Sequence, residues 1–394
     1  MTKPHIRPDL HTLPAYKAGQ KLAAVEGLKV FKLSSNENPY DPLPSVQAAI
    51  VKAAGEIHRY PDPLNTEMIA TIAKRFDVPV ENIAVGTGSV AVLGHIISAV
   101  AQPGDEVMYA WRSFEAYPIW TQIVGATSVQ VPLDEHFGHD LDAMAAAITD
   151  RTRVIFICTP NNPTGTVVDS AALHEFMKRV PPTVLVVIDE AYGEFVEDEA
   201  AVEGLDFFHT YPNVAVLRTF SKAYGLAGLR VGFAIAPTEV ADFVRRTSTP
   251  FGVSSIAQAA VVASLQPQAE SELLERVDAL YRLAVLFQQP VIAAAENLGQ
   301  EIEGHASSAR AHPPCGHGSP RTILVSKLAI LPGGAPDNGR MTTPGKSSRT
   351  HPPAPDGSAP GAALPATAPL YVVLAMVSPL RPIRQGPGRR SGSG

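Results

Sequence analysis

A lysine between two apolar runs is the first residue in this sequence whose setting suggests chemistry. The stretch "RTFSKAYGLAGLRVGFA", residues 218–234, places Ser221 and Lys222 after the run "NVAVLR" and Arg230 at the start of the run "RVGFAIAP". An amine that lies beside another cation and is partly removed from water loses proton affinity and becomes a nucleophile. Most single lysines are solvated surface residues, but the small and apolar flanks of Lys222 argue against exposure. The stretch therefore predicts an amine that condenses with a carbonyl group.

An acidic residue closes another apolar run. Asp189 ends the strand-like part of "VVIDEAY", where an unpaired carboxylate would be costly to bury. It needs a positive partner. That partner is either a lysine or arginine in a salt bridge, which is the more common case, or the protonated nitrogen of a heterocycle.

Two loops add features that bind ligands. "GTGS", residues 86–89, stands directly ahead of a helical pattern, where backbone N–H groups and the helix N-terminus favour an anion. A tight structural turn would look the same, and the full dinucleotide-binding fingerprint is absent. "TPNNPTG", residues 159–165, is either an ordinary surface turn or a rigid loop that presents an amide to a ligand.

Short apolar runs that alternate with helical patterns over residues 80–265 must position these loops. The runs are "NIAV", "EVMYA", "TSVQVPL", "RVIFICTP", "TVLVVIDEAY", "NVAVLRTFSK" and "RVGFAIAP". Strands this uniformly apolar predict an α/β protein with a parallel sheet covered by helices on both faces. Ligands of such sheets bind beyond the carboxyl ends of the strands, so the polar residues that end these runs are the candidates for a site.

Together these features specify one cofactor. A lysine amine binds an aldehyde, an aspartate pairs with a pyridinium nitrogen, and a glycine turn with a serine and an arginine takes a phosphate. An asparagine and a tyrosine can meet a ring hydroxyl, and an aromatic side chain can stack on the ring. This set predicts pyridoxal 5′-phosphate (PLP).

Six motifs then resemble one family in order and spacing. "SSNENPYDPLPSV", "RYPDP", "WRSFEAYPI", "TPNNPTG", "IDEAYGEF" and "RTFSKAYGLAGLRVGF" are similar to the fold-type I, class-II aminotransferases of the histidinol-phosphate aminotransferase family. "WRSFEAYPI" looks more like the actinobacterial branch that acts on aromatic amino acids. The likeness covers about residues 6–303. It implies a PLP-binding domain with a mostly parallel sheet, a second, small domain that is incomplete here, and a homodimer.

The resemblance implies roles around the cofactor ring. Lys222 would form the Schiff base, and Asp189 would face the pyridine nitrogen. Asn162 and Tyr192 would meet the 3′-oxygen, and Phe114 would stack on the ring. Lys222, Asp189 and Tyr192 are thus the implied catalytic residues.

It also implies contacts to phosphate and substrate. Five residues would bind the phosphate within one subunit: Gly88, Ser89, Val90, Ser221 and Arg230. Tyr60 of "RYPDP" would reach the phosphate across the dimer interface. Asn36 would lie in the N-terminal segment that closes over the substrate, near Tyr16.

The implied reaction moves an amino group from phenylalanine or tyrosine to a 2-oxo acid such as 2-oxoglutarate. Histidinol phosphate is the alternative donor, and a decarboxylase on the same scaffold is a more distant alternative. A PLP-binding remnant without turnover is an alternative of another class. A regulator is disfavoured because no helix-turn-helix segment precedes the body of the chain.

The resemblance ends near residue 303. Residues 311–394 hold 15 prolines and 12 glycines without any strand or helix period, which predicts a disordered tail or a shifted reading frame. The family's "NF" strand motif and substrate-carboxylate arginine find no match here, so no such arginine is assigned. The predicted organisation is an N-terminal segment (1–45), a large PLP-binding domain (46–265), a long helix with the start of the small domain (266–310) and the tail (311–394).

The composition of the chain argues against several other classes of protein. The 394 residues carry a net charge of −6, which gives no reason to expect nucleic acid. The two cysteines, Cys158 and Cys315, form no disulfide framework. No run approaches the roughly 20 apolar residues of a membrane span. We expect a cytoplasmic protein with small-molecule substrates and no bound metal.

Overall fold

The computed structural model describes residues 4–13 and 35–282. Within these ranges seven strands form one sheet in the order β1-β7-β6-β5-β4-β2-β3. The strands are β1 (Ile83–Gly86), β2 (Glu106–Trp111), β3 (Thr127–Pro132), β4 (Thr152–Cys158), β5 (Leu185–Asp189), β6 (Val214–Thr219) and β7 (Gly232–Ile235). Each corresponds to one of the apolar runs, and the predicted α/β class with a mostly parallel sheet is confirmed.

Helices cover the sheet. Those with both ends in the described ranges are α1 (Pro44–Ala54), α2 (Thr66–Phe76), α3 (Ser89–Val100), α4 (Ala116–Val124), α5 (Leu141–Ala146), α6 (Ser170–Met177), α7 (Gly204–Thr210), α8 (Thr238–Thr247) and α9 (Ser255–Ser264). Residues 267–282 are also helical. Short 3₁₀ helices span Pro8–Thr12, Val80–Asn82, Gly193–Phe195 and Ala227–Leu229.

The strands are uniformly apolar because both faces of the sheet are buried. Along β4, Phe156 packs in a cluster with α3, α4 and α8, whereas its neighbour Ile155 packs on the other face with α5, α6 and α7. Successive side chains of a strand point to opposite faces, so a sheet covered twice needs an apolar residue at every position.

Local sequence fixes where several helices begin. The side chains of Asp140, Asp169 and Ser254 accept hydrogen bonds from the backbone N–H groups three residues later, at the starts of α5, α6 and α9. Such caps satisfy donors that the first turn of a helix leaves without partners. They therefore fix the residue at which each of these three helices begins.

The direction of β7 has consequences for the site. This strand is antiparallel to both of its neighbours, β1 and β6, while the other strands are parallel. Its first residue, Gly232, therefore pairs with Gly86 at the end of β1 and with Thr219 at the end of β6. The antiparallel strand thus brings Arg230 to the edge where the other strands end.

Several predictions concern residues beyond the described ranges. The tail (311–394), Tyr16 and Cys315 lie outside them, as does the 266–310 segment after residue 282. The domain boundaries stay predictions. Among the described helices, none is both long and apolar enough to span a bilayer.

Candidate active site

The carboxyl ends of the central strands meet at one edge of the sheet. Cys158 at the end of β4 pairs with Asp189 at the end of β5, and Asp189 pairs with Leu217 of β6. The backbone N–H of Thr159 continues this ladder with a 3.1 Å hydrogen bond to the carbonyl oxygen of Asp189. The loops that carry the predicted asparagine, aspartate and lysine therefore leave the sheet side by side.

Lys222 is half-buried at this edge. Its amine donates a 2.9 Å hydrogen bond to the backbone carbonyl of Asn36 and lies 5.2 Å from the ring centroid of Tyr192. Burial lowers the pKa of this amine, and the positive charge of Arg230 lowers it further, against smaller opposing effects of Glu37 and Asp189. A lysine whose pKa is lowered in this way is a better nucleophile and proton acceptor.

Asp189 is only 3% exposed. Its carboxylate accepts a 2.6 Å hydrogen bond from the hydroxyl of Tyr117 and a 3.2 Å hydrogen bond from the backbone N–H of Ala191. Burial raises the pKa of Asp189 to about 6, although these hydrogen bonds and the charge of Lys222 act in the opposite direction. The Lys222 and Asp189 charges interact, which means that the two side chains share one environment.

The salt bridge considered for Asp189 forms at the next residue instead. Within the described ranges no lysine, arginine or histidine lies within 4.0 Å of the Asp189 carboxylate. Arg218 lies 2.6 Å from the carboxylate of Glu190 and also pairs with Glu194. Among the described residues, Asp189 is therefore a buried acid without a cationic side chain in salt-bridge distance, which suits a positively charged ring nitrogen.

The predicted phosphate residues come together at the start of α3. Gly88 has a φ of +84° and immediately precedes the helix, whose first residue is the buried Ser89. Arg230 donates a 3.0 Å hydrogen bond to the hydroxyl of Ser221. A Cβ atom on Gly88 would lie 2.2 Å from Nη2 of Arg230.

The approach of β7 to α3 also depends on glycine. A Cβ atom on Gly232 would lie 2.3 Å from the backbone nitrogen of Ser89. Val90 is half-buried in the same helical turn. The helix N-terminus, two hydroxyl groups and a guanidinium group thus form a set of hydrogen-bond donors that can bind an anion. We call this set the α3 cradle (Gly88, Ser89, Val90, Ser221 and Arg230).

Tyr192 joins the N-terminal segment to the site. Its hydroxyl accepts a 2.8 Å hydrogen bond from the side-chain amide of Asn36. Burial raises the pKa of Tyr192 to about 12, so the phenol is neutral at physiological pH and can donate to an oxygen. The structure therefore connects Asn36, Tyr192 and Lys222 in one group.

The two asparagines of "TPNNPTG" differ in their surroundings. Asn161 is buried, accepts from the hydroxyl of Ser113, and donates to Thr164 and to the carbonyl of Arg112. Asn162 is half-buried, and its amide makes no hydrogen bond to a residue in ranges 4–13 and 35–282. Asn161 therefore shapes the loop, and Asn162 is the one that could meet a ligand.

Phe114 is half-buried just before α4. Its ring lies 5.7 Å from that of Tyr117 at an angle of 87°. The backbone N–H of Tyr117 donates a 3.2 Å hydrogen bond to the carbonyl oxygen of Phe114, so the predicted stacking residue and the hydrogen-bond partner of Asp189 are joined by one turn of the chain at the start of α4.

Two predicted residues are not joined to this group. Tyr60 is 83% exposed, and its ring packs 4.8 Å from that of Phe251. Tyr16 lies outside the described residues.

Sequence reasoning missed two site residues. Tyr117 lies within "WRSFEAYPI" and Asn38 within "SSNENP", and these motifs alone assign no role to either residue. The Asn38 amide donates to the backbone carbonyls of Lys222 and Ala223, at 3.2 and 2.9 Å, and so fixes the lysine loop. A polar residue two places after Asn36 was the available signal.

Comparison with known proteins decides the family. Residues 29–295 match the family model of class I and II aminotransferases. The chain belongs to this family. The resemblance found in the motifs is thereby confirmed, and the chain is an aminotransferase with PLP as its cofactor.

Three relatives describe the aminotransferase further. An aromatic amino acid aminotransferase of Streptomyces coelicolor is 59% identical over 279 residues, which are 71% of this chain and 77% of the relative. One from Streptomyces avermitilis is 56% identical over 301 residues, covering 76% and 82% of the two chains. The solved structure of a Sinorhizobium meliloti histidinol-phosphate aminotransferase in complex with PLP is 31% identical, with a TM-score of 0.60 over 64% of this chain and 67% of that one.

The residues of the aminotransferase fit PLP. Lys222 offers an amine with a lowered pKa, and Asp189 is a buried acid that forms no salt bridge with any lysine, arginine or histidine of the described residues. In the α3 cradle, Arg230 lies so close to Gly88 that a side chain at residue 88 would collide with the guanidinium group. An aldehyde, a ring nitrogen and a phosphate each find a matching group.

Proposed function

We propose that this aminotransferase takes its amino group from an aromatic amino acid, phenylalanine or tyrosine, and passes it to a 2-oxo acid such as 2-oxoglutarate. The observation that carries the proposal is the 59% identity to an aromatic amino acid aminotransferase over 71% of the chain. The likeness of "WRSFEAYPI" to that branch supports it.

Lys222 is the central residue of the proposed mechanism. Its amine would hold the cofactor aldehyde in the resting enzyme. Bound PLP supplies an electron sink for the substrate carbon that bears the amino group. Once freed by the substrate amine, Lys222 Nζ would take the proton from that carbon and deliver it to the former aldehyde carbon of the cofactor, a role that its lowered pKa favours.

The remaining residues orient the cofactor. Asp189 would face the ring nitrogen, Tyr192 and Asn162 would meet the 3′-oxygen, and Phe114 would stack on the ring. The α3 cradle would bind the phosphate, which suits its helix N-terminus and guanidinium group. Asn36 would lie at the substrate side, since it contacts both Tyr192 and Lys222, and Tyr16 would lie near it.

We also propose that the aminotransferase is a homodimer in which Tyr60 reaches the partner's phosphate. Val51, Ile57, Tyr60 and Leu64 are 73%, 67%, 83% and 73% exposed within one short stretch of chain. Several exposed large apolar side chains near Tyr60 in the chain favour an interface there. Leu64→Glu should convert the dimer to a monomer in analytical ultracentrifugation, while Val80→Glu, at a separate exposed apolar position, should not; an unchanged mass for Leu64→Glu would remove the proposal.

The test of the main proposal is spectroscopic and kinetic. Purified wild type should show the visible absorbance of lysine-bound PLP, Lys222→Ala should lose it, and Lys178→Ala, at an exposed lysine, should keep it. Phenylalanine should then convert the wild-type cofactor to its amine form, and 2-oxoglutarate should reverse the conversion. A PLP band that responds to no amine donor would mean a cofactor-binding protein without turnover.

Histidinol phosphate is the second candidate donor, favoured by the 31% identical Sinorhizobium meliloti structure. It is distinguished in the same assay by kcat/KM. A value for histidinol phosphate that exceeds the one for phenylalanine would replace the aromatic proposal.

We propose a cytoplasmic location on the basis of cysteine usage; fractionation of cells that express the tagged chain tests it.

A further inference from the structure

Tyr117 and Asp189 make a buried polar contact at the candidate site. The side chain is fully buried, and its hydroxyl lies 2.6 Å from Oδ2 of Asp189. Its ring is stacked on that of Phe156 at 4.7 Å and packs against Tyr109 at 5.4 Å and Phe114 at 5.7 Å. This cage of rings fixes where the hydroxyl points.

In this contact a neutral phenol, Tyr117, donates a hydrogen bond to the carboxylate of Asp189. Burial, followed by the negative charge of Asp189, raises the pKa of Tyr117 well above its ordinary value, so the phenol keeps its proton and donates it. A neutral phenol stabilises the carboxylate without cancelling its charge. A lysine or arginine at the same place would cancel the charge and compete with any cation that Asp189 is meant to bind.

The other titratable groups around this pair do not replace the phenol. Burial raises the pKa of Cys158 and that of Tyr192 to about 12, so both are neutral. Lys222 is the cation whose charge acts on Asp189, and it would be occupied by the cofactor aldehyde. Among the described side chains, Tyr117 is then the one that hydrogen-bonds to the Asp189 carboxylate.

We infer that Tyr117 is a positioning residue of the aminotransferase, whose hydroxyl keeps the Asp189 carboxylate ionised and aimed at the ring nitrogen of the cofactor. This rests on the proposed placement of Asp189. Without the hydroxyl, burial favours the protonated acid, and a neutral acid cannot hold the positive charge on the ring. Phe114 and Tyr117 are joined by a backbone hydrogen bond at the start of α4. This one turn would therefore place both the side chain that stacks on the cofactor ring and the hydroxyl that orients Asp189 towards the ring nitrogen.

The experiment compares Tyr117→Phe with Tyr109→Phe, a matched control, because Tyr109 is equally buried in the same cage and its hydroxyl bonds to Gln130 instead. Both variants and wild type are loaded with PLP labelled with ¹⁵N in the ring, and the nitrogen shift is followed by NMR over pH. The pH at which the ring nitrogen is half protonated should fall by roughly one to two units in Tyr117→Phe. It should stay at the wild-type value in Tyr109→Phe.

A second measurement, of cofactor affinity, tests whether the effect of the substitution depends on the ring nitrogen. A PLP analogue with carbon in place of that nitrogen should bind wild type and Tyr117→Phe equally, whereas PLP itself should bind the variant about tenfold more weakly. An unchanged nitrogen midpoint, or equal losses for both cofactors, would overturn the inference. A wild type that never shows the lysine-bound band would instead overturn the proposed function.

If Tyr117→Phe does not fold, fluorotyrosine incorporated at residue 117 alone takes its place, with fluorotyrosine at residue 109 alone as the control. Fluorination makes the phenol a stronger donor, so the nitrogen midpoint should rise in the first protein and stay at the wild-type value in the second. A midpoint that does not move would count against the inference.

Discussion

Gly88 and Arg230 touch across the site, although one precedes α3 and the other precedes β7. The guanidinium Nη2 lies where a side chain on Gly88 would begin, 2.2 Å from an ideal Cβ position. Because β7 is antiparallel to its neighbours, the contact joins two chain segments that reach the same edge from opposite directions. The position of the guanidinium group therefore depends on the absence of a side chain at residue 88.

Gly88→Ala should weaken PLP binding at least tenfold, since the new methyl group displaces Arg230 from the α3 cradle. The control is Gly104→Ala, because Gly104 also has a positive φ, +98°, but nothing lies within 4 Å of its Cβ position. Both variants should lose about 1 kcal/mol of folding stability from backbone strain. Fluorescence titration with PLP separates them, and equal affinities for the two variants would contradict the prediction.

Arg230→Gln should raise the pKa of Lys222 towards its ordinary value, because it removes the second of the two causes that lower this pKa, burial being the first. The probe is pyridoxal, which lacks the phosphate and so reports on the amine alone. Neutral amine is the reactive form, so the rate of imine formation rises with pH, and its midpoint should move to higher pH in the variant. Arg246→Gln, on the exposed face of α8, should leave the midpoint where it is in wild type; a coincident profile for Arg230→Gln would refute the argument.

Asp189→Asn should stabilise the cofactor-free protein in a pH-dependent way. The pKa of Asp189 is raised to about 6 in the folded chain, and that of an unfolded aspartate is about 3.9. The folded state therefore binds the extra proton between these values, and wild type loses stability as the pH rises through 6. The advantage of the variant should grow to about 3 kcal/mol above pH 7, about two pKa units at 1.4 kcal/mol each.

Thermal unfolding from about pH 3.5 to about pH 7.5 spans both pKa values and measures this difference. Asp150→Asn, at a side chain that is 92% exposed, is the matched control and should track wild type. A stability difference between Asp189→Asn and wild type that does not vary with pH would show that the buried charge is not its source.

Arg218→Met should destabilise the fold by about 3–5 kcal/mol, because it leaves the buried carboxylates of Glu190 and Glu194 without their cation. Lys178→Met breaks a pair with Glu175 in which both side chains are mostly exposed and should cost at most about 1 kcal/mol. Urea unfolding reports both values. If the two losses were alike, the Arg218 pairs would be no more important than a surface pair.

The sequence was sufficient to predict the strands and the edge of the sheet at which the candidate site lies. Each strand is a short apolar run, and Asp189 and Lys222 follow the ends of two of them, so general rules for parallel sheets place them together. The direction of β7 could not be predicted, because an apolar run looks the same in either direction. The contact between Gly88 and Arg230 depends on that direction and was therefore visible only in the fold.

Two other features escaped prediction for a different reason. Tyr117 lies on the apolar side of a helix, where a tyrosine is indistinguishable from a core residue until the partner of its hydroxyl is known. Asp189 and Glu190 are adjacent acids, and the sequence does not say which of them Arg218 neutralises. In both cases the deciding partner is distant in the chain.

The loops at the amino ends of the central strands carry none of the residues assigned to cofactor or substrate. Gly104 before β2, Asp150 before β4 and Pro182 before β5 are exposed. A thiol introduced at Gly104 would anchor the enzyme to a solid support with the opposite edge of the sheet turned towards the solution. Substrates could then reach the immobilised catalyst without passing the point of attachment.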